Sequence, residues 1–279
     1  MKINPYLVLA IGLWIVPLHS WSQETEKHPI LEDKFYIEAG IFIPQKNIQL
    51  GANGSSDNDE VDFGETFDLN DNEITPFFNA EWRWNKKWRL AVEYFGVNNG
   101  SSATLQDDIK WEDITFKKGS FVRGGIEFNL VRVFVGRVIS SGPKHSLGGG
   151  LGIHAINIGA FIEGEGELET DDGEIVRKFE KKRVSALIPL PNIGGWYHWA
   201  PNEKWAFVAR VDWFGITIDK YSGGLWNVAP GVKYQIIKNL GVGLDYRFFF
   251  LNARVNETNW DGKFEMDFQG PLLTIHANF

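Results

Sequence analysis

The sequence predicts an all-β fold, a transmembrane antiparallel up-and-down β-barrel of about ten strands, within a range of roughly eight to twelve. Apolar and polar residues alternate along most of the chain, and no helical 3.6-residue stripe recurs. Aromatic residues make up 14% of the 279 residues, although the mean hydropathy is only -0.21. Short turns also alternate with longer connections, as expected for strands that run up and down through a bilayer.

The first 22 residues are predicted to be a secretory signal peptide, which leaves residues 23–279 for the barrel. A basic start precedes an apolar run from Tyr6 to Leu18, and Ser20-Trp21-Ser22 supplies small residues before a polar segment. A membrane-anchor helix is disfavoured because Pro17 interrupts the run, which falls short of the roughly 20 residues needed to span a bilayer.

Charge and cysteine content exclude several functional classes. The formal net charge is -8 and the isoelectric point is about 5.3, whereas nucleic-acid binding needs a basic surface. The chain has 0 Cys, so it forms no disulfide, thiolate metal site or cysteine-linked lipid anchor. Composition alone leaves a soluble, secreted β-sandwich open as the alternative.

Ten segments alternate clearly enough to be predicted as strands. They are residues 35–43, 77–84, 88–95, 103–139, 147–155, 187–199, 205–213, 226–236, 240–250 and 270–279. Short turns are predicted near residues 86, 142, 202 and 238, and long loops at 45–74 and 163–183. An even number of strands returns both chain ends to one side of the membrane.

The clearest hairpin turns at Asn85-Lys86-Lys87. One face of its strands is apolar and aromatic, and the other is largely charged. In a soluble barrel those charges would face water outside, whereas in a membrane they would face the lumen. Trp84 and Trp88 flank the turn, where an interfacial aromatic girdle would lie, and this position favours lipid against the apolar face.

The segment 103–139 is interpreted as one long strand that projects beyond the membrane, with two shorter strands as the alternative. Its apolar residues change parity between Phe128 and Val131. A β-bulge near Asn129 would restore the register.

The last ten residues form a two-sided strand. Its odd positions, from Pro271 to Phe279, are all apolar, and its even positions are mostly small or polar. This ending resembles the closing strand of bacterial outer-membrane β-barrels. The resemblance implies an assembly signal at Phe279, Ala277 and Ile275 that is read by the barrel assembly machinery. It also implies a location in the bacterial outer membrane, among its lipids and lipopolysaccharide.

Several short motifs extend this resemblance over nearly all of the mature chain. They are Phe67-Asp68-Leu69, Trp82-Arg83-Trp84, Trp88-Arg89-Leu90, Trp111-Glu112-Asp113, Gly231-Val232-Lys233-Tyr234 and Gly241-Val242-Gly243-Leu244-Asp245-Tyr246. Together they resemble a widespread family of uncharacterised outer-membrane β-barrels, small and porin-like. The resemblance implies a Gram-negative source but no established activity.

Ten charged residues are predicted to face the lumen. They are Glu38, Glu81, Arg83, Arg89, Glu93, Arg210, Asp212, Lys233, Asp245 and Arg247. Opposite charges inside a narrow barrel pair with one another and fill the interior with satisfied polar groups. Because about ten strands leave only a narrow bore, a structural network is favoured over a selective pore.

No complete catalytic or metal site is predicted, and no cofactor. His154 could share its height in the lumen with Asp212, which would be half of an acid–base site, but no nucleophile accompanies them. Asp57-Asn58-Asp59 resembles the start of a calcium loop but lacks the required glycine and spaced ligands. The acidic residues between 57 and 73 therefore indicate a solvated loop, or weak bridging of divalent cations to lipopolysaccharide.

Four prolines fall on lipid-facing strand positions, namely Pro189, Pro191, Pro230 and Pro271. A proline cannot donate to the strand ladder, and residues two apart address the same neighbour, so Pro189 and Pro191 together weaken one seam. Lipid-modifying and hydrophobic-transport barrels resemble this arrangement. Prolines at bulges or above the bilayer are the simpler interpretation.

The predicted function is a structural or narrow-channel outer-membrane barrel whose cargo and oligomeric state are open. One alternative is a lipid-modifying enzyme or hydrophobic-substrate transporter with a lateral opening. Another is a surface binding protein that uses its acidic loops.

Overall fold

The computed structural model describes residues 27–54, 66–67, 74–111, 114–169, 175–218, 221–257 and 260–279. The predicted signal peptide lies outside these residues. In chain order the elements are α1 Pro29–Glu32, β1 Phe35–Phe42, β2 Gln45–Gly54, β3 Thr75–Trp82, β4 Trp88–Thr104, β5 Ile109–Trp111, β6 Ile114–Phe116, β7 Phe121–Ser141, β8 His145–Glu169, β9 Ile175–Trp199, β10 Trp205–Ile218, β11 Tyr221–Ile237, β12 Leu240–Glu257 and β13 Trp260–Asn278. No helix among the described residues is long and apolar enough to cross a membrane.

Ten antiparallel strands close into a barrel, which confirms the predicted up-and-down topology. Going round the wall, the order is β1, β3, β4, β7, β8, β9, β10, β11, β12, β13 and back to β1. The first and last strands meet through paired backbone bonds. Phe35 donates to the Phe279 carbonyl at 2.8 Å, and Phe279 donates to the Phe35 carbonyl at 2.9 Å.

Residues 45–54 are a strand, so the prediction of a loop over 45–74 is wrong in its first part. β2 pairs with β13 from Gln269↔Gln45 to Trp260↔Gly54 and continues the edge begun by β1. The polar composition of this segment hides the strand, since its alternation is weak and its partner lies more than 200 residues away. The later part of the predicted loop, residues 55–65 and 68–73, lies outside the described residues.

The outward face of the barrel is apolar and aromatic. Trp82 is 40% exposed and Leu244 is 54% exposed, so these residues do not pack inside the protein as a soluble sandwich would require. At the end that carries the short turns, aromatic rings lie side by side. The ring centroids of Trp84 and Trp88 are 6.0 Å apart, and those of Trp205 and Tyr234 are 4.7 Å apart. We call this end the turn end and the opposite one the loop end.

The prediction of one strand over 103–139 is wrong. β4 continues to Thr104, the short strands β5 and β6 pair with each other, and β7 begins at Phe121. The predicted bulge near Asn129 is also wrong, because the β7–β8 ladder keeps its register from Val122 to Val138. The parity changes since Val122 and Phe128 are buried in an apolar interior, whereas the valines that follow face outward.

The predicted loop at 163–183 is largely a strand hairpin. β8 and β9 pair continuously from His145↔Trp199 to Glu169↔Ile175 and project beyond the rest of the barrel. Acidic residues on β8 face basic residues on β9, with Glu163 and Lys181 3.3 Å apart. The charges therefore stabilise the extension by pairing across it, although the same charges predict a loop when the sequence is considered alone.

Candidate functional site: the lumen

A short N-terminal segment, residues 27–33, covers the turn end of the lumen. Ile30 is buried against Tyr36, Ala200 and Ala206. The Arg83 guanidinium donates to the Ile30 carbonyl and ties this segment to the wall.

His28 caps the helix in this segment. Its Nδ1 accepts a hydrogen bond from the Ile30 amide at 3.1 Å. Burial lowers the pKa of His28 to about 4, because charging the ring would cost solvation. Burial raises the pKa of the neighbouring Asp33.

The first polar layer above this segment centres on Lys233. Its ammonium donates to Glu38 and, at 2.6 Å, to Asp245, while Thr274 donates to Glu38 at 2.6 Å. These residues come from β1, β11, β12 and β13, so one cation ties four strands together. A single buried ammonium with three donors can satisfy this set.

A second pair lies beside that layer. Arg89 donates to Glu81 at 3.0 Å, and its guanidinium carbon is 4.1 Å from the centre of the Trp196 ring. Trp196 is accommodated by Gly148, where a Cβ would come within 2.0 Å of the ring. The glycine therefore makes room for the cation–π contact.

Glu93 is the centre of the next layer and is fully buried. It accepts two hydrogen bonds from Arg210, at 2.5 and 3.1 Å, and one from Arg247 at 2.9 Å. One carboxylate thus binds two guanidinium groups from the opposite side of the lumen. Such bonds between charged groups are the strong ones in a protein interior.

Asp212 organises the layer nearest the loop end and is also fully buried. It accepts from Arg132 at 2.7 Å and from Asn192 at 3.2 Å, and Asn227 donates to it at 3.4 Å. His154 contacts the same group, with Nδ1 3.0 Å from the Asn192 side-chain oxygen and Nε2 3.9 Å from Asp212. The carboxylate is held by three donors, one of which is an arginine, an arrangement suited to structure rather than to proton transfer.

Above the polar layers the interior is apolar. The Phe95 ring lies 5.8 Å from each of the rings of Phe42, Phe128 and Phe249. Arg247 joins the two regions, since its guanidinium carbon is 4.8 Å from the centre of the Phe95 ring. Further buried apolar side chains cover this phenylalanine cluster at the loop end: Phe67, Leu105, Ile109, Ile114 and Phe116.

The structure places all ten sequence-predicted lumen residues on the inner side of the barrel, with Arg83 at its turn-end mouth. Nine of them join the layers described above, together with Arg132, which sequence reasoning missed. Arg132 alternates with Val131 and Val133, so the pattern carried the signal, but the expected bulge obscured it. The phenylalanine cluster was also missed, because its four rings come from four separated strands, β1, β4, β7 and β12.

Charges in these layers balance. Five carboxylates, Glu38, Glu81, Glu93, Asp212 and Asp245, face five cations, Arg89, Arg132, Arg210, Lys233 and Arg247. The cavity between the N-terminal segment and the Glu93 layer has a volume of only about 70 Å³. The polar layers of the described residues are therefore nearly neutral, and the cavity beside them is small. Among the described residues, no group of histidine and carboxylate side chains could hold a metal ion.

Fold and interior together define a closed ten-stranded β-barrel whose described interior holds ion-pair layers and an apolar cluster. The chain matches no protein-family model and no curated protein. Among solved structures it is similar to the outer membrane protease OmpT from Escherichia coli, with a TM-score of 0.54 and 11% identity over 88% of this chain and 97% of that one. At that identity the likeness concerns the fold alone.

Two other solved barrels are more distant. Ail of Yersinia pestis has a TM-score of 0.36 and 11% identity, over 89% of this chain and 99% of Ail. The toluene transporter TodX of P. putida has a TM-score of 0.37 and 9% identity, over 91% of this chain and 93% of TodX. Scores this low add nothing to the fold assignment.

Proposed function

We propose that this protein is an integral barrel of the bacterial outer membrane whose lumen is sealed, so that it acts as a structural barrel and not as an open channel. The apolar outward face and the aromatic belt at the turn end support insertion in a bilayer. The C-terminal strand ends in the exposed Phe279, and this ending supports a location in the outer membrane and recognition by its assembly machinery.

The observation that carries the sealed lumen is its stack of three obstructions. The N-terminal segment lies at the turn end, the neutral ion-pair layers in the middle and the phenylalanine cluster at the loop end. An ion crossing this stack would have to break buried ion pairs and then enter an apolar region, and each step is costly.

Conductance in planar bilayers tests this proposal. The barrel, shown to be folded by its heat-modifiable gel mobility, is expected to give no stepwise current. A variant that lacks residues 27–33 is expected to stay silent as well, because two obstructions remain. Regular current steps from the intact protein would overturn the sealed lumen, and steps only from the deletion variant would show that the inner layers do not seal.

Catalysis is the weaker alternative. His154 is buried and bonded to Asn192, and Asp212 already accepts hydrogen bonds from several donors. We expect His154→Ala to leave the lipid A of the host unchanged by mass spectrometry. A change in lipid A would favour an enzyme.

A surface binding role rests on the acidic loop, most of which lies outside the described residues. Ligand binding to whole cells before and after deletion of residues 51–73 tests it, and the sealed-barrel proposal expects no difference.

A further inference from the structure

The wall of the barrel is not hydrogen-bonded over its full height between β9 and β10. Their ladder runs from Trp199↔Phe207 to Ile193↔Trp213 and ends there. Both strands continue, β9 back to Ile175 and β10 on to Ile218, without pairing with each other in the parts that the structure describes. The same segment of β9 stays paired with β8 on its other side.

Two prolines explain where this ladder stops. Ala200 donates to the Lys144 carbonyl beside β8, so even-numbered residues of β9 address β8 and odd-numbered residues address β10. Beyond Ile193, towards the loop end, the next odd positions of β9 are Pro191 and Pro189, and neither has an N–H to donate. In the register of the ladder, Pro191 would face Gly215, which adds no side chain to fill the gap.

The prolines also make the gap tolerable in hydrocarbon. A backbone N–H without a hydrogen-bond partner is strongly unfavourable in the hydrocarbon of a bilayer, because no water can replace the lost bond. Proline at both positions removes two such donors from the free edge of β9. The seam therefore leaves fewer unpaired donors beside lipid than two ordinary residues would.

If the barrel lies in the membrane as proposed, the unpaired part of the seam lies within the height of the bilayer. Ile193 is six positions from Trp199 in the turn-end aromatic belt. At ~3.3 Å per residue and a tilt of about 40°, the paired part of the seam rises by roughly 15 Å. A membrane barrel has an apolar band about 25 Å tall, so the unpaired part begins within the half nearer the loops.

The side chains behind the seam are apolar. Leu190 on β9 and Phe214 on β10 point inward, are half-buried and pack against the phenylalanine cluster. Asp212 and its partners lie below them, nearer the turn end. A molecule that enters here meets hydrocarbon side chains first, so the chemistry suits an acyl chain and not an ion or a sugar.

We infer that the seam between β9 and β10, bounded by Pro189, Pro191 and Gly215, is a lateral binding site for an acyl chain of an outer-leaflet lipid. The chain passes between the two strands and contacts Leu190 and Phe214. The site opens to the bilayer through the wall and does not require a pore along the barrel axis.

Photo-crosslinking of the full mature chain tests this inference. The protein is reconstituted in phosphatidylcholine vesicles that contain a phospholipid with a diazirine midway along one acyl chain, and crosslinked residues are mapped by mass spectrometry. Crosslinks are expected on the inward residues Leu190 and Phe214 as well as on outward residues such as Ile153. Ile156, which is inward but lies behind paired strands, should not react.

A disulfide across the seam provides the matched comparison. Since the chain has 0 Cys, Pro191→Cys with Gly215→Cys can form only one disulfide within the chain, and non-reducing gels exclude a bond between two molecules. Oxidation should abolish crosslinking at Leu190 and leave crosslinking at Ile153 unchanged. Reduction should restore crosslinking at Leu190. The control pair Val133→Cys with Ile153→Cys bridges the paired β7–β8 seam and should not alter Leu190.

The outcomes separate the two proposals. Crosslinks in the native chain on outward residues alone would overturn the lateral site and leave membrane insertion standing. Absence of crosslinks from the outward residues too, in a folded barrel, would overturn the membrane location itself. Both the lateral site and the membrane location are decided by crosslinking of the native chain. The inference can therefore be overturned even if a disulfide variant fails to fold.

Discussion

Arg210 on β10 and Glu93 on β4 meet across the lumen through two hydrogen bonds of 2.5 and 3.1 Å. Their strands are not neighbours in the wall, since β7, β8 and β9 separate them on one side. Arg247 on β12 joins the same carboxylate at 2.9 Å. The Glu93 carboxylate thus links three strands of the wall, β4, β10 and β12. We therefore expect it to contribute strongly to the stability of the barrel.

Glu93→Gln should destabilise the barrel strongly. It leaves Arg210 and Arg247 buried without their shared counter-charge, and breaking a buried pair in this way generally costs about 3–5 kcal/mol. Urea unfolding in lipid vesicles measures the loss. The matched control is Glu163→Gln, whose partner Lys181 is half exposed, and there the expected change is about 0–1 kcal/mol. Equal effects at the two positions would contradict the role assigned to Glu93.

Phe95→Ala should also be costly. The ring touches three other phenylalanines and covers Arg247, so its removal leaves a cavity between the polar and apolar layers. Truncations of this kind cost about 3–5 kcal/mol. Phe179→Ala serves as the control, because Phe179 is 64% exposed and its loss should change the free energy of unfolding by less than about 0.5 kcal/mol. A small effect at Phe95 would show that the cluster repacks freely.

The N-terminal segment should detach from the turn end in acid. In the docked state the pKa of His28 is about 4, against an ordinary value of 6.5, so the released segment binds the proton more readily. Docking is therefore stable at neutral pH and weakens as the pH falls from about 6.5 towards about 4. Below about 4 the protonation of His28 causes no further loss of docking stability. Amide exchange of Ile30 and Leu31 across this range measures the release.

His28→Asn is the control for that titration. Asparagine keeps a side-chain acceptor for the Ile30 amide but carries no titrating ring. Exchange should then stay slow throughout this range, because burial raises the pKa of Asp33 in the docked state and its protonation therefore favours docking. An unchanged pH profile in this variant would assign the release to another group.

Phe279→Ala should separate assembly from stability. Phe279 is 60% exposed and holds its place through backbone bonds to Phe35, so the folded barrel should keep its free energy of unfolding within about 0.5 kcal/mol. In cells, the amount of folded barrel should fall, because the predicted assembly signal at Phe279, Ala277 and Ile275 is impaired. Heat-modifiable mobility in membrane extracts gives the folded fraction. Phe248→Ala, at another exposed aromatic position, should leave that fraction unchanged.

Strand positions were largely accessible to sequence reading, and the reason is local. Alternation with period two follows from the pleat of a single strand, so segments such as 205–213 and 240–250 show their two faces without reference to any partner. The same alternation placed Glu93, Arg210 and Arg247 on the inner face. It failed at 45–54 and 163–183, where polar composition or charge hid strands that exist because a neighbour pairs with them.

The sequence by itself therefore determined the antiparallel β-barrel, a wall of about ten strands and the side on which most charges lie. The tertiary structure decided which charges meet, where the lumen turns from polar to apolar, and that the wall parts between Ile193 and Pro191. Those features depend on register and on curvature that brings together residues more than 100 positions apart, as Glu93 and Arg210 are. A pattern that repeats every two residues contains no information about such distances.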